Sequence, residues 1–437
     1  MQILDWQALS SQQRAAALAR PAAGLAARTL SEARAIVDEV RLNGDAALVR
    51  YAREYDGVEL RRFEVSGAEF AAARGALPAA DVAALERAIA NIDSFHRATQ
   101  PAAVAIDVQP GVRCERLIRP IGAVGLYVPA GLAPLPSTVI MLGVPARIAG
   151  CGRRVLCTPP QRDGAANAAV LVAAELCGIG QVYKIGGAQA IAALAYGTES
   201  VPKVDKIFGP GNAWVTAAKQ LVAADPGGAA LDMPAGPSEV LVIADDSARA
   251  DFVAADLLAQ AEHDPRSQAI LLTTSRALAQ QVAAEVAAQL PARSRGSILE
   301  QSIAASRILI VPDLATAIGI SEAYAPEHLI IQTRAPRALL EQVHNAGSVF
   351  LGSWSPEPMG DYCSGTNHVL PTYGYARTYS GLSVTDFTRR MTVQELSADG
   401  LRALGPTAAT LARLEGLDAH AAAVDLRLQA LAREDAA

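Results

Sequence analysis

A chain of 437 residues, 51% of them apolar, is long enough for two to three domains at about 150 residues each and for a large buried core. A net charge of −6 and an aromatic content of only 5% exclude the basic, base-stacking surface of a nucleic-acid binder. Five cysteines, an odd number without C-x-x-C spacing, exclude a disulfide framework and are expected mostly as buried thiols in a reducing cytoplasm.

The opening "MQILDWQALSSQQR" carries Asp5 and no basic segment before an apolar run, so no signal peptide is expected. Helical signals dominate the first hundred residues. "SEARAIVDEVRLNGDAALVRYAREY" is predicted to start at a Ser31 cap, and "AADVAALERAIANIDSFHRAT" is a second helix. The uncharged run between Arg119 and Arg147 has the hydropathy of a membrane span. Pro129, Pro134, Pro136 and Pro145 interrupt it, so a strand, a loop and a helix capped by Ser137 are expected instead.

From about residue 120 the pattern alternates. "VGLYV", "RVLCT", "VYKIG" and "DKIFG" read as strands, each followed by a helical segment. "DMPAGPSEV", with Pro234, Gly236 and Pro237, breaks the series and marks a domain crossing. The alternation then resumes with "EVLVIA", a helix capped by Ser247, "AILLTT", "RILIVP", "LIIQT", the helix "RALLEQVHNAG" and "VFLG". Strands alternating with helices imply parallel βαβ units. After about 380 the chain reads as irregular, then as helical from "TVQELSADGLRAL" onward. A tail of this length buries too little to stand alone and must dock on its own body or on a partner.

The expected fold is therefore α/β, with two lobes and a small, mostly helical C-terminal tail. Four segments follow: an N-terminal arm, 1–20; a catalytic and metal domain, 21–128 with 238–381; a nucleotide lobe, 129–237; and the tail, 382–437.

Candidate chemistry gathers in a few places. The dinucleotide fingerprint G-x-G-x-x-G is missing. "IGGAQA" (185–190) and "FGPGNAW" (208–214) instead lie between a strand and a helix, where glycines and a helix N-terminus suit an anion. The loops alone fit a nucleotide site and plain turn chemistry equally well. "LLAQAEHDP" puts Gln260 and His263 on one face of a helix end, able to reach one metal ion or simply to meet solvent. "PMGDYCSGTNHVLPT" offers Asp361, Cys363 and His368 in a loop, as metal or cavity groups or as turn formers. Glu415 and His420 in the tail read by themselves as solvated residues. His96 and His344 are expected to be structural. "AYAPEHLIIQ" sets Glu327 and His328 side by side after Pro326, where a helix stops and a strand starts.

The longest of these stretches resemble the histidinol dehydrogenase family: "RPIGAVGLYVPAG", "GGAQAIAALAYGTESVPKVDKIFGPGNAWV", "DMPAGPSEVLVIAD", "DLLAQAEHDP", "YAPEHL" and "GDYCSGTNHVLPTYGYAR". The likeness runs from about residue 20 to 430. It implies an incomplete, atypical Rossmann-like fold in both lobes. It also implies an enzyme of the last two steps of histidine biosynthesis, taking L-histidinol through L-histidinal to L-histidine with two NAD⁺ reduced. By matching motif, Gln260, His263, Asp361 and His420 are the implied zinc ligands and Glu327 and His328 the catalytic pair. Ser238, His368 and Glu415 are implied at the substrate, together with the zinc ligands and His328. Tyr127, Gln189 and Asn212 are implied at NAD. The resemblance further implies a homodimer in which the tail crosses to the neighbouring subunit, so that His420 enters the partner's site. Such a reaction needs a base near neutral pH for the alcohol and a group to activate water for the aldehyde, which suits an imidazole beside a carboxylate. Glutamate beside histidine near a metal would also suit a zinc-dependent hydrolase, the alternative reading.

Overall fold

The computed structural model describes residues 1–21, 27–130, 133–233 and 236–436. Pro234 and Ala235, inside the expected crossing, lie outside them. Strand β1 (Gln2–Asp5) opens the chain, and β2 (Val104–Gln109) and β3 (Val112–Pro120) follow the N-terminal helices. Then β4 (Ala123–Tyr127), β5 (Arg153–Thr158), β6 (Gln181–Lys184), β7 (Lys206–Phe208) and β8 (Ala230–Leu231) alternate with helices. A second alternating series comprises β9 (Glu239–Ala244), β10 (Gln268–Thr273), β11 (Arg307–Ile310), β12 (His328–Gln332) and β13 (Ser348–Leu351), and β14 (Thr388–Leu396) comes last.

Two all-parallel sheets follow from this alternation, in the orders β6-β5-β4-β7-β8 and β1-β11-β10-β9-β12-β13. Parallel strands need crossover helices, which cover both faces of each sheet. That is why β9, β10 and β12 are buried along their whole length. Successive side chains of β9 enter different cores: Val240 and Val242 pack on one face, Leu241 and Ile243 on the other. In each sheet the chain winds outward and then returns to the far side of its first central strand. The order reverses between β4 and β7 in one sheet and between β9 and β12 in the other. The α/β class with two wound lobes is as the sequence reading expects.

The chain divides into two compact units, residues 1–99 with 121–387 and residues 100–120 with 388–437. The first holds both parallel sheets. The second holds the antiparallel sheet β14-β3-β2 and the helices Ala398–Leu414 and Asp418–Glu434. The expectation that "TVQEL" is helical is therefore corrected: β14 pairs with β3 along all nine of its residues, and that pairing overrides the helix preference of its Gln, Glu and Leu. The same pairing brings residues 100–120 into the unit of the tail.

Three expected caps also differ. Ser31 lies inside the helix Ala27–Tyr51, and Ser137 follows Pro136, which opens its helix. Ser247 closes a turn onto Asp245, and that helix begins only at Ala250. The helix expected over 337–347 spans only Pro336–Leu340, which leaves His344 outside it and exposed.

Candidate active site

The helix Leu314–Tyr324 ends at Ala325, whose φ of 52° turns the chain out of the helix. Pro326 prevents its resumption, the chain bends at Glu327, and His328 is the first residue of β12. Across the sheet lies Glu239, the first residue of β9. Its backbone N–H donates to Glu327 Oε2 at 2.9 Å, and its carbonyl lies 3.2 Å from His328 Nδ1. His328 Nε2 lies 3.5 Å from Asp361 Oδ1 without a hydrogen bond. Both side chains are buried.

Beside them the helix Ala250–Ala261 carries Gln260 in its last turn and leads to His263, and the short helix Glu357–Tyr362 contributes Glu357 and Asp361 one turn apart. Donor atoms of His263, Glu357 and Asp361 lie within 4.8 Å of one another, close enough for one divalent cation. Gln260 is fully buried. With its amide nitrogen turned toward the surrounding acceptors, it reaches His328 Nδ1 at 3.0 Å and the Glu239 carbonyl and Glu357 Oε1 at 3.2 Å each. A set of imidazole, carboxylate and amide oxygen suits zinc among several divalent metals.

The electrostatics of the cluster are interlocked. Burial pushes the carboxyls of Glu327 and Glu357 up to about 8 each. Burial by itself would lower His328, but the carboxylates of Glu357, Glu327 and Asp361 outweigh it and hold the imidazole well above its ordinary value. Burial likewise opposes ionisation of Asp361, yet the neighbouring imidazoles keep its carboxyl low. His368 is depressed by burial and His263, exposed to the cavity, by desolvation among its neighbours, which favours the neutral form able to bind a metal.

One cavity of about 1800 Å³ takes in both lobes. The N-terminal ends of β9 and β12 supply Ser238, Glu327 and His328, joined by His263, Asp361 and His368. The C-terminal ends of β4 and β7 supply Tyr127 and Gly209 at the strand-order reversal, joined by Gln189 and Asn212. His368 is held between the Asp361 carbonyl at 2.7 Å and Thr138 Oγ1 at 3.4 Å. Tyr127 Oη accepts from the Gly187 N–H at 3.0 Å, and Asn212 caps the helix Ala213–Ala224 through Trp214 and Val215. Gly209 has φ 121°, and a Cβ there would lie 2.0 Å from the Tyr127 carbonyl oxygen, so the two strand ends meet this closely only through glycine. Glu415 and His420 belong to the second unit, where both are exposed; the cluster described here is built by the first unit without them.

The model of the histidinol dehydrogenase family matches residues 20–428. The chain belongs to this family. It is 57% identical over 428 residues to the histidinol dehydrogenase of Xanthomonas axonopodis pv. citri, covering 98% of this chain and 99% of the relative. It is 55% identical over 431 residues to that of Vibrio vulnificus, covering 99% of each. The crystal structure of histidinol dehydrogenase from Elizabethkingia anophelis superposes with a TM-score of 0.94 at 43% identity, covering 99% of this chain and 98% of that one.

Three features of this family member escaped the sequence reading. Glu357 reads as an ordinary acid in the first turn of a helix. Asp232 and Lys219 form a buried pair that grips Gly209, Asp232 accepting from its N–H at 2.8 Å and Lys219 donating to its carbonyl at 3.0 Å. Glu239 holds the catalytic candidates largely through its backbone, which no side-chain motif encodes. A buried glutamate opening an all-apolar strand was the one available signal.

Proposed function

We propose that the cavity oxidises L-histidinol through L-histidinal to L-histidine, reducing two NAD⁺ in turn. As a family member the chain is an NAD-dependent oxidoreductase. The observation that carries the assignment of roles is the placement of Glu327 and His328 in the cavity wall beside the donor cluster of His263, Glu357 and Asp361. NAD supplies the hydride acceptor, with Tyr127, Gln189 and Asn212 lining the half of the cavity assigned to it. A zinc ion held by Gln260, His263, Asp361 and the partner's His420 would fix the imidazole and amine of the substrate. His328, once it has given up the proton that the surrounding carboxylates favour, takes the hydroxyl proton on Nε2 in the first oxidation. In the second, Glu327 orients and deprotonates the water that adds to the aldehyde; its elevated pKa suits a base working near neutrality. Ser238, His368 and the partner's Glu415 position the substrate.

We further assign a homodimer, because the second unit exposes an apolar surface. Val104, Ile106 and Val108 are exposed on β2, and Leu411, Leu414, Leu417 and Leu426 are exposed on or between the helices. A cytoplasmic location agrees with five free cysteines. Among the described residues no helix is long and apolar enough to cross a membrane. The hydrolase alternative leaves the nucleotide half of the cavity without a task. The test is stoichiometry: two NADH formed per histidinol consumed, lost on chelation and restored by added zinc. One NADH per histidinol, or full turnover in protein shown by elemental analysis to be metal-free, would overturn the proposal.

A further inference from the structure

The N-terminal arm ends beneath the active site. Strand β1 pairs with β11, and the helix Ser11–Leu18, opened by a Ser10–Gln13 capping box, buries Ala17 against the second sheet. The Ala19 carbonyl accepts from Gln268 Nε2 at 2.9 Å, which fixes the residue before Arg20 to the start of β10. Arg20 then reaches inward. Its Nε and Nη2 grip the carboxylate of Glu239 at 2.5 and 2.8 Å, and the same Nη2 donates to the Tyr324 carbonyl at 2.8 Å. The guanidinium lies 3.8 Å from the centre of the Tyr324 ring. The side chain of Glu239 is 3% exposed and that of Arg20 16%.

Each of these contacts leads to the proposed catalytic pair. Glu239 Oε1 also accepts from the backbone N–H of Glu327 at 3.3 Å, and its own backbone holds Glu327 Oε2 and His328 Nδ1. Tyr324 is the last residue of the helix before the Ala325–Pro326 turn that delivers Glu327 and His328, and its hydroxyl is 3.3 Å from Glu239 Oε2. One guanidinium therefore joins the two chain segments that meet at the pair: the start of β9 and the end of the helix before β12. A forked, planar group bonded at three points restricts both displacement and rotation, which a lysine ammonium cannot do as well.

We infer that Arg20 and Glu239 are positioning residues for the oxidation, holding Glu327 and His328 at their working distance from the reacting carbon. This rests on the assignment of that pair made above. Neither residue touches substrate, so their removal lowers turnover and leaves affinity nearly unchanged.

The experiment is a double-mutant series on the zinc-loaded full chain. Arg20→Met keeps the length and apolar packing of the side chain and removes its donors. It should lower kcat about 10²-fold, the cost of a displacement of about 1 Å at the reacting groups, with KM for histidinol and NAD⁺ changed less than about threefold. Arg20→Lys should recover part of the loss, and Glu239→Gln should resemble Arg20→Met. Millimolar guanidinium should partly restore Arg20→Ala, and an equal concentration of ammonium should not. In a His328→Asn background Arg20→Met should lower the residual rate much less than it does in the parent. An unchanged kcat, an equal loss in both backgrounds, or a loss confined to KM would overturn the inference. Should Arg20→Met not fold, Arg20→Lys and Glu239→Gln carry the same comparison. If Glu327→Gln and His328→Asn alone kept full activity, the catalytic assignment would fall. If they were inactive while every Arg20 and Glu239 variant turned over normally, only the positioning role would.

Discussion

Asp256 gives a test of the energetics beneath the site. It lies one turn before Gln260 in the helix Ala250–Ala261, is 4% exposed, and accepts from Gln332 Nε2 at 2.7 Å. Burial pushes its carboxyl from 3.8 up to about 7, the Gln332 bond offsetting only part of the shift. The folded pKa is above the unfolded one, so the native state is penalised whenever this group must ionise. Below about pH 4 both states hold the proton and the penalty vanishes. It then grows by about 1.4 kcal/mol per pH unit and levels off above about pH 7 at ~4 kcal/mol. Asp256→Asn removes the ionisation and keeps the acceptor for Gln332 Nε2. The variant should therefore be more stable than the parent by a margin approaching ~4 kcal/mol at pH 8 that shrinks toward zero near pH 4. Urea unfolding followed by circular dichroism from pH 4.5 to 8.5 measures this, with chelator present because a cation in the neighbouring cluster would offset part of the charge. A stability difference independent of pH, or one that shrinks as pH rises, would refute the reasoning.

Glu327→Gln should impair oxidation of the aldehyde more than that of the alcohol, and His328→Asn should impair both, by about 10²–10⁴-fold; separate assays of the two half-reactions decide. Glu357→Gln should weaken zinc binding about 10–100-fold in a competition titration, since Glu357 both borders the donor cluster and accepts from Gln260. Gly209→Ala should raise KM for NAD⁺ far more than KM for histidinol, because the added Cβ collides with the Tyr127 carbonyl. Refolding chains carrying His328→Asn together with chains carrying His420→Asn should restore about a quarter of the parental activity, because half of randomly paired dimers are mixed and each of those has one intact site. Activity that stays at the level of the two variants, in dimers shown by mass to be mixed, would place the tail back on its own chain.

The parallel sheets were legible because strands buried on both faces are written as unbroken apolar runs; β4 to β7 and β9 to β13 were all anticipated from such runs. Strands of the second unit were not. Most of β2 and β14 is exposed, so neither is written as an unbroken apolar run, and β14 becomes a strand only by pairing with a partner some 270 residues earlier. The glycine loops and the Glu327–His328 junction stood out because their residue types are unusual at such places. Glu239 and Arg20 did not, since their contacts are to backbone or to each other across 219 residues. Glu357 was hidden by its ordinary setting between two prolines.

The arm has a consequence for how the chain comes into being. Residues 2–5 are made before their pairing partner β11, which lies some 300 residues downstream. At about 5–20 residues per second that is a wait of roughly 15–60 s, long after the first parallel sheet has been synthesised. Until then the arm has no edge to join, although the Glu239 carboxylate that Arg20 grips is made about 70 residues sooner. Closure of the second lobe is thus a late step of biosynthesis, and a nascent chain stalled short of Ile310 would carry a finished nucleotide lobe beside an active site still unassembled.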